Sequence, residues 1–140
     1  MSRVQLALNV SDIDEAVDFY SRLFGAEPAK RRDGYANFAI DSPPLKLVLI
    51  ENAEAPGTLN HLGVEVFSTD EVTAASARLS GEGMATATQE NVSCCYAVQD
   101  KTWVADPNGH AWEFFYVKHD AEDSGESARA QHAPATGGCC

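Results

Sequence analysis

The chain has 140 residues, 44% of them hydrophobic and 22% charged, enough to bury a core in one domain without staples. A net charge of −11 excludes nucleic acid, whose phosphates it would repel, and disfavours anionic membrane surfaces. No stretch approaches the roughly 18 consecutive apolar residues of a membrane span.

Met1-Ser2-Arg3-Val4-Gln5 runs straight into an alternating pattern, without the charged and then apolar regions of a leader. A cytoplasmic location is therefore expected, where thiols stay reduced. The first predicted strand covers Val4 to Val10. Ser11-Asp12-Ile13-Asp14 then caps a helix that carries Ala16, Val17, Tyr20, Leu23 and Phe24 at helical spacing, and Gly25 stops it. Short strands follow at 35–40 and 45–50, separated by the turn Asp41-Ser42-Pro43-Pro44.

About 56 residues on, the pattern begins again. Leu59 to Val66 is a strand, and Ser68-Thr69-Asp70-Glu71 caps a helix with Val72, Ala75 and Leu79 inside, closing near Gly81 and Gly83. Strands follow around 84–90, across 95–105 as two, and at 111–117, with Asp106-Pro107-Asn108-Gly109 as the last turn. The simplest reading is a repeat, two copies of a βαβββ unit at about 1–51 and 58–117, in one α+β domain over 1–117. From Lys118 the apolar pattern ends, and 118–140 read as a flexible tail ending in Cys139-Cys140.

Strand side chains alternate between faces. Val4, Leu6, Leu8 and Val10 face the helix, leaving Gln5, Ala7 and Asn9 on the other side. In the second copy His61, Gly63 and Glu65 share the face opposite Leu62, Val64 and Val66. Gln5 and His61 are thus equivalent, and Glu113 joins them from the last strand. An amide oxygen, an imidazole and a carboxylate make a three-residue set for a divalent metal with open positions, a facial triad with an amide in place of one imidazole. The bland alternative stands beside it: strand His and Gln often satisfy local hydrogen bonds, and Glu113 could be rim surface.

Asn91-Val92-Ser93-Cys94-Cys95-Tyr96 holds two adjacent cysteines, as does the tail. Neighbouring Cα atoms lie about 3.8 Å apart, below the roughly 4.4–6.8 Å of ordinary disulfides. A Cys94–Cys95 bond is poorly suited to stapling, yet two adjacent thiols can both reach one large soft atom. In a regular strand they would point to opposite faces, so the pair is expected in a loop or bulge, with Asn91-Val92-Ser93 as the loop. Such a loop could swing to load a substrate. Free cysteines are otherwise often small buried hydrophobes. Tyr96, Lys101 and Trp103 lie close enough to line a pocket, although a lysine there is more often solvated surface and a tryptophan more often core. His110 reads as structural, and His119 and His132 as exposed tail residues.

The repeat, the opening "SDIDEAVDFYSRLFGAEP" and the closing "DPNGHAWEFF" resemble the vicinal oxygen chelate superfamily, which includes glyoxalase I, extradiol dioxygenases and bleomycin-resistance proteins. The resemblance implies a half-open mixed β-barrel around a metal site, with ligands at the places of Gln5, His61 and Glu113. Glyoxalase I adds a glutamate from the last strand of the first unit, where this chain has the apolar Leu47-Val48-Leu49-Ile50; extradiol enzymes carry His where it has Gln5. "GYANFAI", "GTLNHLGVEV" and "CCYAVQDKTWV" are similar to the organoarsenical carbon–arsenic lyases and the cadmium-induced proteins.

That resemblance implies Fe(II) on Gln5, His61 and Glu113, with Ni, Co or Mn as substitutes, and O2 as co-substrate. It implies capture of a trivalent organoarsenical by Cys94 and Cys95, lined by Tyr96, Lys101 and Trp103, and C–As cleavage to arsenite. The partner is then a small molecule, with no nucleic acid or membrane, in a monomer or a homodimer. Two other readings stay open: a cadmium- or arsenic-sequestering protein without catalysis, and another glyoxalase- or dioxygenase-like enzyme.

Overall fold

The computed structural model describes residues 2–122. Its contacts divide the chain into two compact units, the first Arg3–Asn60 and the second formed by the described residues from His61 onward together with Ser2.

The first unit contains β1 (Arg3–Val10), α1 (Ile13–Phe24), β2 (Lys30–Arg32), β3 (Tyr35–Ile40) and β4 (Leu45–Glu51). Its sheet order is β2-β3-β4-β1, with β1 parallel to β4 and the other pairs antiparallel. Asp12 starts α1 by accepting the Glu15 amide at 3.0 Å. Gly25, at φ 62°, ends it in the left-handed region that glycine enters without strain. Ile13, Ala16 and Val17 pack against Ala36, Phe38, Ile40, Leu47 and Leu49. Leu6, Leu8 and Val10 join that core, as alternation predicts, while Gln5, Ala7 and Asn9 are buried on the opposite face. β2 was not expected.

The second unit is built from β5 (Leu59–Glu65, entering from the first unit), α2 (Thr69–Gly81), β6 (Ala87–Cys94), β7 (Ala97–Ala105) and β8 (Ala111–Asp120). The order is β5-β8-β7-β6, with β5 and β8 parallel and β7 antiparallel to both neighbours. A reciprocal cap starts α2: Ser68 Oγ accepts the Glu71 amide, and the Glu71 carboxylate accepts the Phe67 amide at 2.9 Å. Val72, Ala75 and Leu79 are its buried residues, as their spacing predicts.

The α+β class and the double βαβββ order are both present. Three local expectations change. Residues 97–105 form one strand rather than two, β8 runs on to Asp120, and Asn91-Val92-Ser93 lies inside β6 rather than in a loop. Residues 123–140 of the predicted tail, with His132, Cys139 and Cys140, lie outside the described residues.

Candidate metal and thiol site

Strand register builds the site in the second unit. Glu113 on β8 is paired with Gly63 on β5 and with Trp103 on β7. Lys101, two residues before Trp103, shares its face. His61 arrives on the same face of β5, so the neighbouring strands deliver imidazole, carboxylate, ammonium and indole to one buried patch. His61 and Lys101 have no solvent exposure and Glu113 only 1%.

The contacts are short. His61 Nε2 lies 2.7 Å from Glu113 Oε2, and Lys101 Nζ lies 2.8 Å from Glu113 Oε1. Burial pushes the Glu113 carboxyl up, but the charges of Lys101 and His61 and their hydrogen bonds outweigh it, so its pKa falls to about 2. The group is therefore an anion at any physiological pH. The His61 ring meets Trp103 edge-on at 5.4 Å, and Lys101 Nζ stands 5.5 Å from the Trp103 ring centroid. The indole itself is fixed by its N–H, which donates to Gln89 Oε1 at 3.0 Å.

Cys94 enters the same patch. Cys94 is the last residue of β6 and pairs with Ala97, which leaves Cys95 and Tyr96 as a two-residue hairpin turn. Both turn residues have positive φ, 53° and 62°, the combination of a type I′ turn that usually selects Asn-Gly. The pair thus straddles a strand end and a tight turn, and this breaks the alternation that would have sent the sulfurs to opposite faces. Lys101 Nζ donates to Cys94 Sγ at 3.2 Å, and Gln99 Nε2 donates to the Cys94 carbonyl at 2.7 Å. Where reduced thiols were expected, Cys94 and Cys95 are both in disulfides, and no cysteine among the described residues is free. Thiol chemistry at this position thus requires the reduced protein.

Of the sequence candidates, His61, Glu113, Cys94, Lys101 and Trp103 are linked by direct contacts in one unit. Tyr96 is the second turn residue. Gln5 belongs to the first unit, where it is 3% exposed on β1 and in register with Lys46 of β4. Two positions along, Val48 occupies that face of β4, buried and apolar. His110 is bound to its own turn, its Nδ1 2.7 Å from Asp106 Oδ2. Sequence reasoning missed Gln89 and Gln99 altogether and gave Lys101 too little weight. The signal was there: Gln99, Lys101 and Trp103 alternate onto the Glu113 face.

Among the described residues no three His, Cys, Asp or Glu side chains form a metal-holding group. A divalent ion would need the His61–Glu113 pair plus a donor of another type, and an amide oxygen serves. The pair suits such an ion, since one imidazole nitrogen and one carboxylate oxygen face each other while Lys101 occupies the second oxygen. A separate apolar hollow of about 570 Å³, with Leu79, Met84, Trp112 and Phe114 in its lining, lies on the other face of β8 and away from this chemistry.

Residues 3–114 match the Glyoxalase/Bleomycin resistance protein/Dioxygenase superfamily. The chain belongs to that superfamily. It is 58% identical over 129 residues to the cadmium-induced protein CadI of Mycobacterium tuberculosis, covering 92% of this chain and 85% of that one. It is 57% identical over 123 residues to the trivalent organoarsenical cleaving enzyme of Thermomonospora curvata, covering 87% and 82%. An extradiol ring-cleaving dioxygenase from B. fuscum shares the fold at a TM-score of 0.61 and 21% identity, over 86% of this chain and 34% of that longer one. No described helix is long and apolar enough to cross a membrane.

Proposed function

We propose that the protein is an Fe(II)- and O2-dependent carbon–arsenic lyase that cleaves trivalent organoarsenicals, methylarsenite and aromatic arsenicals among them, to arsenite. The observation that carries this reading is Lys101, whose one ammonium touches both Cys94 Sγ and Glu113 Oε1. A soft-atom clamp beside a His–carboxylate pair is what a thiophilic substrate and an oxidising metal centre together require.

In this reading Gln5, His61 and Glu113 hold the metal, Gln5 by its matched position in the repeat. Bound Fe(II) supplies the activation of O2. The chain's own residues do the rest. In the reduced protein Cys94 and Cys95 replace the two hydroxyls of the arsenical as a dithiolate and release water. They thereby fix the C–As bond beside the His61–Glu113 pair, and this proximity is their contribution. Trp103, held by Gln89, walls the patch and excludes water. Lys101 keeps Glu113 ionised, so no proton has to leave before the carboxylate can bind a cation.

The test is turnover of methylarsenite by reduced, Fe(II)-loaded protein under air and under nitrogen. Arsenite release under air alone is expected; no release under air, with metal demonstrably bound, overturns the proposal. The 58% identity to a protein named as cadmium-induced favours a second reading, sequestration of Cd(II) or As(III) by the cysteines without catalysis. That reading expects tight binding that survives Glu113→Ala and no release of arsenite.

A further inference from the structure

The two cysteines of the clamp are held differently. Cys94 ends a strand, is 1% exposed, has its carbonyl bound by Gln99 and has its sulfur against Lys101. Cys95 sits on the tip of the hairpin at φ 53°, followed by Tyr96 at φ 62°. One arm is anchored in the sheet; the other rides on a strained two-residue turn. We propose that Lys101 is a positioning residue for the Cys94 sulfur, making Cys94 the arm that captures arsenic first and Cys95 the arm that closes the chelate.

The physical argument starts from the ammonium. A wholly buried lysine needs anionic partners, because an isolated charge is costly away from water. Glu113 is one such partner. Reduction of Cys94 would offer a second, since its disulfide sulfur already lies 3.2 Å from Nζ, and a neighbouring cation favours thiolate, the nucleophilic form. The Nζ contact also holds the sulfur beside the same ammonium that Glu113 shares. Capture is then an exchange at trivalent arsenic without change of oxidation state. The Cys94 sulfur forms an S–As bond and one As–O bond breaks. The departing hydroxide takes the proton that the thiol gave up and leaves as water. Cys95 repeats the exchange on the second hydroxyl, with the short turn keeping it within reach.

The inference rests on the arsenical reading of the site but is tested without catalysis. The protein is reduced, metal-free and carries Cys139→Ser and Cys140→Ser, so that the tail thiols do not report. The probe is diphenylarsinous acid, which has a single exchangeable hydroxyl and so reads one sulfur at a time. In a Cys95→Ser background, where Cys94 alone reacts, Lys101→Gln is expected to slow capture at least tenfold and Lys101→Arg to restore most of it. In a Cys94→Ser background, where Cys95 alone reacts, Lys101→Gln is expected to change the rate less than twofold. Equal slowing in both backgrounds assigns Lys101 a general structural role and overturns the proposal, as does no slowing with Cys94 alone. If Lys101→Gln does not fold because Glu113 is left unpaired, Lys101→Gln with Glu113→Gln removes both charges and is compared with Glu113→Gln alone. Absence of C–As cleavage by the wild-type, metal-loaded protein would instead count against the lyase reading and leave these capture rates interpretable.

Discussion

Lys101 Nζ lies 2.8 Å from Glu113 Oε1 with both side chains sealed from solvent, so two opposite charges share one oxygen contact inside the sheet. The pair makes Glu113 a pH-dependent contributor to stability. Its folded pKa is depressed from 4.5 to about 2. The contribution is therefore fully present above about pH 4.5 and is lost as pH falls through about 2. A shift of that size corresponds to roughly 3 kcal/mol. In metal-free protein, Glu113→Gln should lower stability by about that much at pH 7, and the gap to wild type should close toward pH 2–3. Urea unfolding midpoints across this range decide it; a gap that stays constant with pH contradicts the assignment.

The turn Cys95-Tyr96 predicts an opposition between stability and function. Two consecutive non-glycine residues at positive φ each cost about 1 kcal/mol, whereas Asn-Gly fits a type I′ turn readily. Cys95→Asn with Tyr96→Gly should therefore stabilise the reduced protein by about 1 kcal/mol or more, and abolish bidentate arsenic capture. Thermal unfolding and titration with a trivalent arsenical measure the two effects on the same sample. A destabilised variant would mean that the turn is held by side-chain contacts rather than strained by its sequence.

Why that turn escaped the sequence is physical. Cys-Tyr carries none of the glycine or asparagine chemistry that marks a two-residue hairpin, so the end of the strand that closes at Cys94 read as loop from Asn91 on. β2 escaped for a similar reason: Lys30-Arg31-Arg32 has no apolar alternation, and charge is what an outermost strand carries to blunt its edge. What was legible followed from period two. Alternation placed Gln5, His61 and Glu113 on the faces opposite Leu6, Leu62 and Trp112, and all three are buried there. It placed Lys101 on the Glu113 face as well, but a lysine's usual preference for water hid what its neighbour Trp103, two residues on, already indicated.

Asp100 on β7 points to the opposite face from Lys101 and braces the irregular part of β6. Its carboxylate accepts the Asn91 amide at 2.9 Å and the Thr69 hydroxyl at 2.7 Å, and it pairs with Lys118 at 3.2 Å. Burial raises its pKa, but these bonds and the Lys118 charge bring it below the ordinary value. Asp100→Ala should cost about 1–2 kcal/mol, since it removes the acceptor of the part-buried Asn91 amide and Thr69 hydroxyl at the bulge three residues before Cys94. Asp100→Asn, which keeps a carbonyl acceptor, should cost less. As with Glu113, the depressed pKa means that the stabilisation is held above the ordinary carboxyl range and lost on acidification through the lowered value. Urea unfolding of both variants at pH 7 and pH 3 checks size and direction.

Gln5 separates the two functional readings, because its only proposed role is toward the metal. It is an uncharged side chain at 3% exposure, so Gln5→Ala removes a donor without leaving a buried charge behind. The lyase reading expects Fe(II) affinity to fall at least tenfold, on the order of 1.4 kcal/mol, with C–As cleavage falling in step. Trivalent arsenical binding by the metal-free, reduced protein should stay within twofold of wild type, because Cys94 and Cys95 make those bonds. Restoring an imidazole with Gln5→His should recover metal binding and thereby distinguish lost coordination from local repacking. Metal content and arsenical affinity measured on the same three proteins decide between the readings. Unchanged Fe(II) affinity in Gln5→Ala would remove Gln5 from the site, whereas no measurable Fe(II) affinity in any of the three proteins, with arsenical binding intact, is the outcome the sequestration reading requires.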